Sequence, residues 1–230
     1  MTIVIEGLRL YGLILVLSVV VGALFVFYNI REKVRRNRQI LLYYMIYFPF
    51  AMAGGMFYSM IASGNFGMSK FPGLSSYGGL VGVIVGSIIF ERIIPLEGEV
   101  IKYSVLSLPL VYGLSKLACF SAGCCAGICY DGPIGLLYPD RANVRQFPVQ
   151  PLETIVFLLI FAVCYGFRKS AYVSYVTIWV AAAAKFALEF LRYDHGDKLL
   201  NVNQVFSIFL VLVSLAVLFV TKLKEKKKLL

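Results

Sequence analysis

Charge is scarce in this 230-residue sequence: Asp, Glu, Lys and Arg together make up 15% of it. A soluble domain carries roughly a quarter, so an ordinary water-facing surface is not available. Histidine occurs once, at His195, in the loop Asp194-His195-Gly196-Asp197; such a flanked loop histidine is more often solvated than a proton acceptor. The opening MTIVIEGLRLYG has no basic leader ahead of its apolar stretch and no small-residue cleavage site, so no cleaved signal peptide is expected. Cysteines number five, an odd count, and four of them crowd into Cys119 to Cys129. That is no secreted disulfide framework. Low-complexity segments and a separate soluble domain are lacking as well.

Apolar sequence fills the space: 60% of the chain is hydrophobic. Several runs approach or exceed the ~20 residues a helix needs to cross the hydrocarbon core. The pattern predicts an all-α, polytopic transmembrane helix bundle of seven spans, one integral membrane domain over residues 1–230. The spans cover about 8–28, 41–63, 74–94, 101–124, 151–167, 172–192 and 205–222. Glycines at Gly54-Gly55, Gly78-Gly79, Gly82 and Gly86 in the second and third runs allow close helix approach where lipid offers no hydrophobic push.

The net charge of +10 resolves into clusters between the apolar runs, which is topology information and not a nucleic-acid face. Arg31 to Arg38, Arg92 with Lys102, Arg168-Lys169 and the tail from Lys222 to Lys228 fall on one side. Lys70, Arg141, Arg145 and Lys198 fall on the other, with Arg9 and Arg192 near helix ends. The positive-inside rule then sets the N-terminus outside and the C-terminus in the cytoplasm. The lysine tail reads as an anchor at an anionic lipid surface.

An ionised side chain at the bilayer centre costs roughly 2.5–3.5 kcal/mol even on the lenient insertion scale. Lys116 nevertheless lies inside the fourth run, and Lys185, Glu189 and Arg192 follow at i, i+4 and i+7 on one face of the sixth. Glu189 can pair with either neighbouring cation, and the stripe keeps a positive surplus. One reading is an intrahelical seam that only packs the bundle, with Arg192 snorkelling to the interface. The stronger reading is a cationic pocket near the outer leaflet for an anionic headgroup or carboxylate. Tyr11, Tyr77, Gln150 and Glu153 sit toward the same outer helix ends. Singly each is weak, since a tyrosine there is usually an interface residue; together they outline one polar chamber.

The run Cys119-x4-Cys124-Cys125-x3-Cys129 leaves three readings open. Its spacing is unlike that of structural zinc sites, which pair ligands two to four apart and repeat the pair. A thiolate near Lys116 would be a stabilised nucleophile. The plainest reading, and the favoured one, is small apolar fillers with an oxidised pair outside.

Six segments then resemble the bacterial prolipoprotein diacylglyceryl transferase family, in order, from about Leu8 to Val211. Leu10-Tyr11-Gly12 resembles the Tyr-Gly of its first helix, and Leu74-Ser75-Ser76-Tyr77-Gly78-Gly79-Leu80 its Ser-Phe-His-Gly-Gly-Leu. Cys119-Phe120-Ser121-Ala122-Gly123-Cys124-Cys125 resembles its signature segment in a Cys-rich form, and Phe147 to Glu153 its His-Pro-Ser-Gln-Leu-Tyr-Glu. Lys185 to Arg192 resembles its Arg-Phe-x-x-Glu-Phe-x-Arg, and Asn203-Gln204 the start of its last helix.

The resemblance implies a transferase of the bacterial cytoplasmic membrane that needs no cofactor or metal. It would move a diacylglyceryl group from phosphatidylglycerol or a similar anionic phospholipid to a prolipoprotein cysteine, or to another acceptor, at the outer leaflet. Tyr77, Lys116, Lys185, Glu189 and Arg192 then stand at catalytic positions, and Tyr11, Cys119, Cys124, Gln150 and Glu153 at substrate-binding ones. This chain departs from the family where Tyr77 replaces the histidine before Gly-Gly, Lys116 and Lys185 replace arginines, Cys119 an asparagine and Cys124 an acidic residue. Lysine keeps charge but loses the bidentate grip on phosphate, and a phenol with an ordinary pKa of ~10 is a poor base at pH 7. A catalytically degenerate lipid-binding or partner subunit, and a small lipid transporter, are the alternatives on the same frame.

Overall fold

The computed structural model describes residues 2–34, 37–64, 75–138, 144–193 and 199–229. Seven helices run through them: α1 (Thr2–Ile30), α2 (Asn37–Ser63), α3 (Ser76–Ile93), α4 (Glu99–Ser121), α5 (Val149–Gly166), α6 (Val173–Glu189) and α7 (Val202–Leu229). Between α4 and α5, β1 (Leu136–Leu137) pairs antiparallel with β2 (Arg145–Gln146), with Leu136 opposite Gln146. The expected polar loop thus contains a small hairpin. Lys70, Leu74, Asp140, Arg141, His195 and Lys198 lie outside the described residues.

Among the described residues, five segments are long and apolar enough to cross a membrane: Leu10–Ile30, Arg38–Ile61, Glu99–Ser121, Val149–Gly166 and Val202–Lys224. Leu13, Val16, Leu24, Leu159, Val163, Leu212 and Phe219 on these helices are each more than half exposed. Water penalises so much bare apolar surface, whereas lipid tails do not. The chain is a multi-pass helical membrane protein. The helices α3 and α6 have 18 and 17 residues; at 1.5 Å per residue, α6 covers about 26 Å of a core about 30 Å thick. It stops short of Arg192 because the chain turns at Phe190 and the Arg192 backbone pairs with Gly127 instead.

Two compact units divide the chain. In the one formed by Val19–Val111, α2 and α3 meet backbone to backbone: a Cβ at Gly54 or Gly82 would strike the carbonyl oxygens of Gly78 and Phe50. The Ser87 hydroxyl donates to that of Ser104 at 2.8 Å, tying α3 to α4. The Glu91 carboxylate accepts from the amides of Gly98 (3.0 Å), Val100 (2.7 Å) and Ile101 (3.2 Å), capping the start of α4.

The other unit comprises Met1–Ser18 and Tyr112–Leu230. Its polar ties include the Thr154 hydroxyl to the Gly113 carbonyl (3.0 Å), Trp179 Nε1 to the Ser214 hydroxyl (2.7 Å), and Gln204 Nε2 to the Phe186 carbonyl (3.2 Å). An extended segment, residues 126–130, lies between two other backbone stretches. Gly127 N–H donates to the Phe147 carbonyl and Ile128 N–H to that of Leu191; Phe147 N–H and Tyr193 N–H return bonds to Ile128 and Ala126. This segment holds together the end of α4, the start of α5 and the end of α6.

Candidate functional site

Lys116 and Cys119 are three residues apart near the end of α4 and therefore share a face. Helix α4 ends in a Schellman motif: Gly123 takes φ +66°, its N–H donates to the Phe120 carbonyl (3.1 Å), and Cys124 N–H reaches back to the Cys119 carbonyl (3.1 Å). This motif brings the residue after the glycine over the one five positions earlier; here both are cysteines. Cys125 follows at φ +60°, a left-handed conformation that costs a side-chain-bearing residue about 1–2 kcal/mol. As a result the three Sγ atoms of Cys119, Cys124 and Cys125 lie within 4.8 Å of one another, each residue half-buried. The hydrogen bonds among the three thiols hold Cys125 below the usual cysteine range, helped by Arg192 and Lys116 against burial, and push Cys124 above it. Tyr11 lies within electrostatic range of all three.

Helix α5 opens with Gln150 and Glu153, both with no solvent exposure. Gln150 Nε2 donates to the Cys124 carbonyl at 2.6 Å, while its Oε1 accepts from the Tyr138 hydroxyl at 2.9 Å. That amide therefore fixes the cysteine turn. Glu153 is the hub of the ion cluster. Its carboxylate meets Lys116 Nζ at 3.2 Å, Lys185 Nζ at 3.0 Å, Arg192 Nη2 at 3.1 and 3.0 Å, and the Tyr112 hydroxyl at 2.7 Å.

Lys185 bridges to Glu189 Oε2 at 2.6 Å, and Glu189 Oε1 accepts from Asn201 Nδ2 (3.0 Å) and Asn203 Nδ2 (2.9 Å). Gln204 in turn holds Asn201: its Oε1 accepts from the Asn201 amide N–H, and its own N–H donates to Asn201 Oδ1, both at 2.9 Å. Four chain segments thus converge: the ends of α4 and α6 and the starts of α5 and α7. Three cations face two carboxylates, leaving one positive charge. Among the described residues Arg192 Nε makes no hydrogen bond, and it stands 3.6 Å from Glu189 Oε2, a buried donor still unspent.

Nine of the ten residues singled out from sequence belong to this unit: Tyr11, Lys116, Cys119, Cys124, Gln150, Glu153, Lys185, Glu189 and Arg192. The tenth, Tyr77, belongs to the other, where it is buried and its ring lies 5.9 Å from that of Tyr58. Sequence reasoning missed Tyr112, Asn201 and Gln146. The first two act through contacts about 40 and 12 residues away, which periodicity does not reveal. Gln146 is fully buried, and neither polar atom of its amide has a partner among the described residues.

Relatives bear on the same region. The chain is similar to a phosphatidylglycerol–prolipoprotein diacylglyceryl transferase 2 of Clostridium perfringens, 27% identical over 164 residues, covering 65% of this chain and 64% of that protein. The corresponding transferase of Clostridium tetani is 26% identical over 167 residues (67% and 66%), and that of Francisella tularensis subsp. novicida 23% identical over 167 (67% and 62%). The match therefore spans a little under two thirds of each relative's length. A family model described as prolipoprotein diacylglyceryl transferase matches residues 1–220, so the chain belongs to the prolipoprotein diacylglyceryl transferase family.

Proposed function

We propose that the protein transfers the diacylglyceryl group of phosphatidylglycerol, or of a similar anionic phospholipid, to a thiol acceptor such as a prolipoprotein cysteine. The observation that carries this reading is the excess positive charge gathered on Glu153 by Lys116, Lys185 and Arg192. Displacement at a glycerol carbon leaves a phosphate monoester carrying added negative charge, and preorganised cations stabilise such a charge best where water is excluded. In this role Lys185 and Arg192 hold the departing phosphate, with Arg192 Nε as the donor open to one of its oxygens. Glu153 and Glu189 keep the cations in place, Gln150 fixes the cysteine turn beside them, and Tyr11 lines the headgroup side.

The frame we propose is a single integral domain of seven spans in the bacterial cytoplasmic membrane, N-terminus outside and C-terminus inside. Basic clusters on one side support that orientation. Reporter fusions after Arg38 and after Lys224 should both report a cytoplasmic location; an external signal from either overturns the orientation.

Labelled phosphatidylglycerol in mixed micelles, with and without a lipobox peptide, tests the chemistry. Peptide-dependent release of glycerol phosphate together with a lipid-modified peptide is expected. Labelled lipid that stays bound with no release would favour a second reading, a lipid-binding subunit. That reading is favoured by Tyr77, a buried phenol where the resembled family has histidine.

A further inference from the structure

Cysteine recurs at the end of α4 without any use in the mechanism above. The spacing of Cys119, Cys124 and Cys125 is wrong for paired structural zinc ligands, but the fold removes that objection. Gly123 in its left-handed conformation turns the chain back, so that Cys124 lands over Cys119 and Cys125 follows in a second left-handed residue. The three sulfurs lie within 4.8 Å of one another. Zn–S bonds of about 2.3 Å at tetrahedral angles would set them about 3.8 Å apart, a closure that side-chain rotation can supply. The turn is anchored from outside by the fully buried Gln150, whose amide donates to the Cys124 carbonyl at 2.6 Å. Small apolar fillers would need neither the strained Cys125 backbone nor a buried amide dedicated to the turn.

We infer that Cys119, Cys124 and Cys125 form a three-thiolate site for a soft metal ion, zinc, whose fourth position receives the acceptor's cysteine. Thiolate sulfur selects zinc over the hard cations, and a site with three protein ligands and one open position is the catalytic arrangement. Charge supports it independently. Three thiolates around Zn2+ carry one net negative charge, and the adjoining Lys116, Lys185, Arg192, Glu153 and Glu189 carry one net positive charge. Half-burial of all three cysteines leaves a side from which a ligand can enter.

The second half of the inference rests on the proposed transfer to a thiol. Coordination takes the acceptor thiol as thiolate and releases its proton to solvent. A sulfur lone pair then forms the S–C bond to the glycerol carbon, the C–O bond to phosphate breaks, and its electron pair leaves on glycerol phosphate held by the cations. The product is a neutral thioether, a much weaker zinc ligand than thiolate, so it departs. Zinc would thus do the work of a base that Tyr77 is poorly suited to do.

The test is cobalt substitution in the purified, reduced full-length protein in detergent. One Co2+ per chain, with an intense sulfur-to-cobalt charge-transfer band displaced by Zn2+, is expected. The band should be lost or severely weakened in Cys119→Ser, Cys124→Ser and Cys125→Ser, and kept in Cys129→Ser and Cys164→Ser. No band in the wild-type protein, or an undiminished band in the Cys124→Ser/Cys125→Ser double variant, overturns the site. Because the wild-type titration needs no variant, misfolding of a serine variant cannot mask the answer. Adding a lipobox peptide should raise the charge-transfer absorbance by about a third, as a fourth thiolate joins three, while its serine analogue should leave it unchanged. Unchanged absorbance with the cysteine peptide overturns the acceptor's place on the metal. Headgroup release that survives chelation in full also overturns it, whereas an intact band with no release from any form counts against the transferase reading and not against the metal.

Discussion

Glu153 accepts hydrogen bonds from Arg192 Nη2 through both carboxylate oxygens, at 3.1 and 3.0 Å, with no part of its side chain open to solvent. It is a counter-ion at the meeting point of α4, α5 and the end of α6, so we assign it the positioning of cations in preference to a contact with the headgroup. Glu153→Gln would leave Lys116, Lys185 and Arg192 with Glu189 as their remaining carboxylate partner in the cluster. Breaking a buried pair by removing one partner costs about 3–5 kcal/mol. The expected result is a large drop in thermal stability in detergent together with loss of lipid turnover; a melting temperature within a degree or two of the parent would refute the hub.

Arg192→Lys separates charge from shape. Lysine keeps the positive charge but has a single nitrogen, so it cannot hold both Glu153 oxygens as Nη2 does and also offer an Nε to a ligand. Turnover of labelled phosphatidylglycerol should fall by at least about tenfold, roughly 1.4 kcal/mol of transition-state stabilisation, with expression retained. Arg192→Gln and Lys185→Gln should abolish it. Full activity in both charge-neutral variants would remove the phosphate-binding role of the pair.

Helical periodicity made part of this cluster legible: Lys185, Glu189 and Arg192 share a face by spacing alone, and Glu189 does contact both cations. The hub was not legible as such, because Glu153 is 32 and 39 residues from two of its partners, and no local rule links positions so far apart. Apolar run length marked the helices but overran the sixth. Expected to reach residue 192, it stops at Glu189, since the Arg192 backbone takes a partner in Gly127. The cysteine turn did carry a signal in Gly123: glycine one position before Cys124 and four after Cys119 fits a Schellman cap, which predicts that those two side chains meet. Ligand-pair spacing was the less informative template there.

Gly123→Ala follows from that cap. A Cβ at φ +66° costs about 1–2 kcal/mol, and the strain can be relieved only by unwinding the turn that brings Cys124 back over Cys119. The variant should unfold at lower temperature, and its Cys124 should react faster with a thiol-alkylating reagent than in the parent. Unchanged alkylation rates would mean that the thiol cluster does not depend on the helix cap.

Gln146 presents the opposite balance of stability and function. Its amide is fully buried, yet neither Nε2 nor Oε1 has a partner among the described residues. An unmade hydrogen bond on a buried polar group costs about 1–3 kcal/mol, so a residue kept there against that cost points to a partner that arrives with the ligand. Gln146→Met fills similar volume without polar atoms. In lipid-free detergent it should unfold at a higher temperature than the parent, by the equivalent of about 1 kcal/mol, while its affinity for phosphatidylglycerol should fall several-fold. Equilibrium binding of labelled lipid beside a thermal melt reads both quantities on one preparation. A variant that is more stable and binds lipid as well as the parent would show that the amide serves no ligand, and a less stable one would show that its polar atoms are satisfied within the fold.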